Sequence, residues 1–178
     1  MTGVASTAHR LPLLSSMAKD LNEQGSLRTS TAAGMWAAYT THTGLTGWAL
    51  ARRVGPLPIP TGAARVAGAA LITTGAGLCV VGMSRFTGAQ ELTGTRNQTL
   101  TTNGVYRYSR NPQYLGYLLA LTGAGLVRRS SAALATTASL AAAYTAWIPV
   151  EEQHLTGLYR HTYTDYTRRT RRWWGRRA

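Results

Sequence analysis

The residues best able to do chemistry lie in three short polar stretches: LTTNGVY at 100–106, RYSRNPQY at 107–114 and VEEQHL at 150–155. In the second, Asn111 before Pro112 predicts a helix start, with asparagine at the cap and proline at the first helical position. That explains two residues. It leaves Arg110 and Tyr114 beside a helix N-terminus whose amides and dipole favour an anion. In the third, Glu151 and Glu152 are expected to close an apolar helix, where carboxylates oppose the helix dipole and need a positive partner. Two kinds of partner suit them: Arg110 or Arg107 in a structural ion pair, or a cationic ligand.

Other catalytic patterns are missing. The chain has no G-x-G-x-x-G, no P-loop and no G-x-S-x-G around Ser109, and His9, His42, His154 and His161 show no ligand spacing, so no metal site is expected. Cys79, the single cysteine, lies in an apolar run and is expected as a small core residue.

The elements that must position these groups are four charge-free windows, at 29–50, 66–83, 113–127 and 130–150. Their lengths are near the roughly 20 residues a helix needs to cross a bilayer. The fold expected is all-α and polytopic in the membrane, with about four transmembrane helices, a tight C-terminal helical hairpin and an amphipathic cytoplasmic C-terminal helix. A soluble bundle of buried helices is the alternative. Division of the chain is expected as a polar segment at 1–28, two transmembrane helices at 29–89 and a cofactor-binding half at 90–178. Gly68, Ala69, Ile72, Gly75, Ala76 and Gly82 fall at a spacing suited to close packing of membrane helices. No signal peptide is expected in the first 30 residues.

A net charge of +13, from 18 arginines and one lysine against six carboxylates, could serve nucleic acid or an anionic membrane. The arginines avoid the four windows, which favours the bilayer as partner and no nucleic acid. With four spans, fourteen of the nineteen basic residues fall on the side of the two termini. The positive-inside rule then makes both termini cytoplasmic, in the plasma membrane of a bacterium. The linker VGPLPIPTG at 54–62 reads as a rigid extracytoplasmic turn. Arg168 to Arg177 are expected to adhere to anionic headgroups, with Trp173 and Trp174 at the interface.

The stretch NGVYRYSRNPQY, an apolar hairpin and then VEEQHLTGLYRHTYTDY resembles the membrane methyltransferases that include isoprenylcysteine carboxyl methyltransferases and phospholipid methyltransferases. Gly104, Tyr106, Arg110, Asn111, Pro112, Tyr114 and Gly116 match the first part of the family pattern; Glu151, Glu152, Leu155, Tyr163 and Tyr166 match the second. The resemblance covers roughly residues 90 to 174. It implies a cytoplasmic site for S-adenosyl-L-methionine, lined by Gln98, Thr99, Leu100, Thr101, Tyr106, Asn111, Pro112, Gln113, Tyr114 and Glu151. In it the start of the third helix would take the cofactor carboxylate, Glu151 its ammonium and aromatic faces its sulfonium. Arg110 and Glu152 are the catalytic candidates, Glu152 as a proton acceptor.

Two positions depart from the isoprenylcysteine pattern. Asn111 replaces histidine, and Trp147 replaces an arginine that engages a substrate carboxylate, which a tryptophan cannot do in the same way. Trp147 therefore suggests an apolar or cationic acceptor, or an interfacial anchor. The activity implied is methyl transfer to a small lipophilic or lipid-linked acceptor, of carboxylate or amine/phospholipid type, entering sideways between helices. A related membrane reductase using NADPH and a non-catalytic membrane scaffold are the alternatives. The sequence leaves the oligomeric state open.

Overall fold

The computed structural model describes residues 12–85 and 100–177, and among them there are five α-helices and no strand. These are α1 (Pro12–Gln24), α2 (Thr29–Arg52), α3 (Thr61–Met83), α4 (Pro112–Arg128) and α5 (Ser131–Arg169), with a 3-10 turn at Gly104–Arg107 before α4. The chain forms two compact units. The first holds Met1–Ala38, Ser84–Arg110 and Ala143–Ala178, the second Tyr39–Met83 and Asn111–Ala142.

The four windows all became helices, but only α3 and α5 are both long and apolar enough to cross a bilayer, where four spans were expected. The reasons are local. Helix α2 carries six threonines and a histidine, and α4 has 17 residues, about 25 Å at 1.5 Å per residue. The apolar part of α5 is its first half. Glu151 and Glu152 do not end it, because the uncharged stretch from Gln153 to Tyr159, with Leu155, Leu158 and Tyr159, carries the helix past them. Arg160 breaks this long helix, with a left-handed φ of 45° and ψ of −118°.

In the second unit, α3 lies antiparallel against α4 with almost no side chain between them. A Cβ built on Gly68 would stand 2.6 Å from the Gly123 carbonyl, and one on Gly116 2.5 Å from that of Gly75. Gly82 faces Pro112 and Gln113, completing a seven-residue rhythm on α3. The expected hairpin turn between α4 and α5 is as short as predicted, but the extensive helix contact is α3 against α4. At that turn Arg129 adopts a left-handed conformation and its amide reaches Gly125 and Leu126 carbonyls. Buried Ser130 Oγ accepts from the Ala133 amide and donates to the carbonyls of Ala49 (3.2 Å) and Val54 (2.8 Å). Arg128 caps α2 by donating to the carbonyls of Leu50 and Ala51.

In the first unit, α1 is an amphipathic helix inside what reads as a polar segment. Its Leu14 and Met17 are buried with Leu27, Ala32, Met35 and Val150, and Trp147 packs against them. Asp20 anchors the start of α2, accepting from the Arg28 amide at 3.1 Å and Thr31 Oγ1 at 2.5 Å. Several large apolar side chains of α2 and α3 are exposed instead, among them Trp36, Trp48, Val66 and Val80. Such a surface suits an apolar surrounding.

Candidate functional site

The break at Arg160 lets the last two turns of α5 fold back, and Arg110 ties the two pieces together. Its Nη2 lies 2.6 Å from Glu152 Oε1 and its Nε 3.1 Å from the same oxygen. Its Nη1 donates to the carbonyls of Thr170 (2.8 Å) and Thr167 (3.4 Å), which end the helix. Arg172 takes the other carboxylate oxygen, with Nη2 2.6 Å from Glu152 Oε2. The Arg110 side chain is only 7% exposed and that of Glu152 16%. Burial raises the Glu152 pKa, but the hydrogen bonds and charges of Arg172 and Arg110 outweigh it and hold the carboxyl below its ordinary value. A carboxylate so held keeps its charge and is a weak base. Of the two partners foreseen for the glutamates, Glu152 has the structural one.

The tail after α5 doubles back along residues 108–110. The Gly175 amide donates to the Tyr108 carbonyl at 2.6 Å and the Arg110 amide to the Arg171 carbonyl at 3.2 Å. Trp174 stacks on Tyr108, with ring centroids 6.0 Å apart. Arg172 is the residue that sequence reasoning missed. Within RRTRRWWGRR nothing distinguishes the arginine that turns inward from those that face solvent, since the choice depends on this turn of the tail.

Beside the clamp lies a cluster of buried tyrosines, Tyr106, Tyr163 and Tyr166, with Leu100, Val105, Leu155 and Tyr159 around it. Gly104, at φ +61°, opens the 3-10 turn that brings Tyr106 inward, a conformation costly for other residues. Tyr166 Oη donates to the Tyr106 carbonyl at 2.7 Å. Burial pushes the Tyr106 hydroxyl up to about 12, with Arg85 opposing, and burial likewise raises Tyr163 and Tyr166. The charges of Glu152 and Glu151 add to the rise that burial causes at Tyr163. Glu151 is oriented by Trp147, whose Nε1 donates to Glu151 Oε1 at 2.8 Å.

In the first unit the structure thus gathers Leu100, Tyr106, Arg110, Glu152 and the tyrosines, with Trp147 and Glu151 paired one turn apart on α5. Thr101 follows Leu100 and is half-buried. Gln98 and Thr99 lie outside the described residues. Asn111, Pro112, Gln113 and Tyr114 open α4 in the second unit. Asn111 stands at the cap position and Pro112 follows it as expected, but the Asn111 side chain makes no capping hydrogen bond. The Gln113 carbonyl accepts from half-buried Cys79 Sγ at 3.3 Å. Among the described residues no group of three or more histidine, cysteine or acidic side chains is placed to hold a metal ion.

The phospholipid methyltransferase family profile matches residues 63–162, more than half of the chain. The chain belongs to the phospholipid methyltransferase family. It is 35% identical over 105 residues to the cobalt-zinc-cadmium resistance protein CzcN of Cupriavidus metallidurans. That match covers 56% of this chain and 47% of CzcN, so the chain spans about half the length of this curated relative. No solved structure matches it. Membership of a family of membrane methyltransferases, with two helices suited to cross a bilayer, makes this a membrane protein. The matched region takes in the packed α3–α4 pair and both glutamates; the clamp residue Arg172 lies beyond it.

Proposed function

We propose that this phospholipid methyltransferase family member uses S-adenosyl-L-methionine to methylate a lipophilic or lipid-linked acceptor at the cytoplasmic face of the membrane. The observation that carries the reading is an indole-oriented carboxylate, Glu151, one helical turn before Leu155 of the buried tyrosine cluster. A carboxylate suits the cofactor ammonium and aromatic faces suit a sulfonium. The donor set therefore fits the cofactor, which when bound supplies a methyl carbon activated by positive sulfur.

The chain's own residues have distinct tasks in this reading. Trp147 fixes Glu151 with its N–H, so what it offers an acceptor is its apolar ring. Leu100 and Tyr106 give an apolar and an aromatic wall, with Gln98, Thr99 and Thr101 beside them in sequence. Asn111, Pro112, Gln113 and Tyr114 stand at a helix N-terminus, which suits an anion such as the cofactor carboxylate. The Arg110–Glu152–Arg172 clamp holds the tail and the last turns of α5 in place, a positioning role. Alignment and exclusion of water supply much of the acceleration in such a displacement. Both termini and the clamp are assigned to the cytoplasm, with α2 and α4 as the remaining two of four spans, α4 shortened.

Calorimetric titration of the purified full chain with S-adenosyl-L-methionine should give saturable binding, weakened at least about tenfold in Tyr114→Ala and in Glu151→Ala, the scale of one lost charge-assisted contact. Undiminished binding in both would sink the site, and saturable binding of NADPH in its place would favour a reductase.

A further inference from the structure

Beyond the tyrosine cluster, the tail encloses an open concavity of about 630 Å³ lined by Arg171, Arg172, Trp173, Trp174 and Arg177. Its chemistry is one-sided. Three arginines and two tryptophans line it, and among the described residues no carboxylate does. Arg172 is engaged with Glu152, whereas neither Arg171 nor Arg177 forms an ion pair with another described residue. Uncompensated arginines on a free tail would be ordinary solvated charges, but these are held. The Arg171 amide donates to the Gly175 carbonyl at 2.9 Å and the Arg177 amide to the Arg169 carbonyl at 2.9 Å. Gly175 turns the chain at φ +105°, and a bridge joins Thr170 to Arg176. Backbone order of this kind lowers the entropy lost when the guanidiniums close on a ligand.

We propose that this concavity is a docking site for the phosphate of an anionic phospholipid headgroup, separate from the acceptor of methyl transfer. Guanidiniums match phosphate oxygens in forked geometry, which suits the phosphodiester of a lipid headgroup. A free phosphate ion would use only the arginines. The indoles decide for lipid: Trp174 is 55% exposed at the rim, and tryptophan settles where apolar chains meet headgroups. Because Arg172 is shared between this wall and Glu152, a headgroup bound here steadies the same clamp that folds the end of α5 beside the tyrosines. The inference rests on the membrane setting of the family and not on methyl transfer.

The test uses the purified full chain in neutral detergent, with tryptophan fluorescence read against dihexanoyl-phosphatidylglycerol, dihexanoyl-phosphatidylcholine and inorganic phosphate. Saturable binding of the anionic lipid is expected, with little response to the zwitterionic lipid or to phosphate. The variant Arg171→Gln/Arg177→Gln should weaken it about 30-fold, and Trp174→Phe should remove most of the signal change. A charge-preserving variant, Arg171→Lys/Arg177→Lys, guards against misfolding and should bind more weakly than the parent but more tightly than the glutamine pair. Equal binding of phosphatidylcholine, equal binding of inorganic phosphate, undiminished binding in the glutamine pair, or a folded lysine pair no better than the glutamine pair would each overturn the site. S-adenosyl-L-methionine titration of the glutamine pair should be unchanged, which separates this result from the fate of the methyltransferase reading.

Discussion

Replacing Glu152 by glutamine keeps the shape of the side chain and removes only its charge, which makes it the sharpest probe of the clamp. Arg110, 7% exposed, would keep its bonds to the Thr167 and Thr170 carbonyls but lose its counter-ion. Breaking a buried pair from one side costs about 3–5 kcal/mol, and the retained carbonyl bonds put this case near about 3 kcal/mol. The Arg172 leg, 38% exposed, adds no more than about 1 kcal/mol after solvent screening. At about 2–4 °C per kcal/mol for a chain of this size, Glu152→Gln should lower the midpoint of thermal unfolding in detergent by about 6–12 °C. Arg172→Gln should lower it by about a third of that or less. The effect has a pH signature. Because the folded carboxyl lies below its ordinary value of 4.5, the stabilisation is fully present above pH 4.5 and is lost as pH falls through the lowered value. The gap between parent and variant should therefore close in acid. A Glu152→Gln midpoint within 1 °C of the parent near neutral pH, or a gap that persists unchanged in acid, would refute the reasoning.

The α3–α4 contact predicts a contrast between two glycines two residues apart on α3, one facing α4 and one facing open space. In Gly75→Ala the new Cβ meets the Ala120 amide nitrogen at 2.5 Å, backbone that cannot step aside, so a loss of about 1–3 kcal/mol or more is expected. Gly77→Ala meets nothing within 4 Å and should stabilise by up to about 1 kcal/mol through helix propensity, both read by thermal unfolding. Tyr166→Phe removes the hydroxyl that donates to the Tyr106 carbonyl and should cost about 1–3 kcal/mol, with a matching loss of near-ultraviolet circular dichroism from the cluster. In alkali the tyrosines set the limit. Tyr106 titrates at about 12 when folded against about 10 unfolded, so stability should hold below about pH 10 and fall between there and pH 12. Circular dichroism across that range checks it.

Much of the architecture was legible because helix existence and turns are settled by near neighbours. The four uncharged windows, the start at Pro112 and the two-residue turn after Arg128 all appear where the sequence puts them. What misled was equally local. The alternation of Leu14, Met17 and Leu21 within the charged α1 segment is too short to stand out, though it buries against Val150 and Trp147. Glu151 and Glu152 look like a helix end, since charge closes an apolar run, yet the helix runs on through them, and through Pro149 just before them, to the break at Arg160.

The sequence by itself determined the helical composition, the basic faces and the two linked motifs around Arg110 and Glu151, because each depends on residues within a few turns of one another. Only the tertiary structure decided which of eighteen arginines would serve Glu152. That choice follows from the reversal at Arg160 and the turn of the tail at Gly175, which bring Arg110 and Arg172 to opposite oxygens of one carboxylate across 42 and 20 residues of chain. Charge pairs of this kind form between groups distant in sequence, and a run of like residues carries no local mark of which member will be buried.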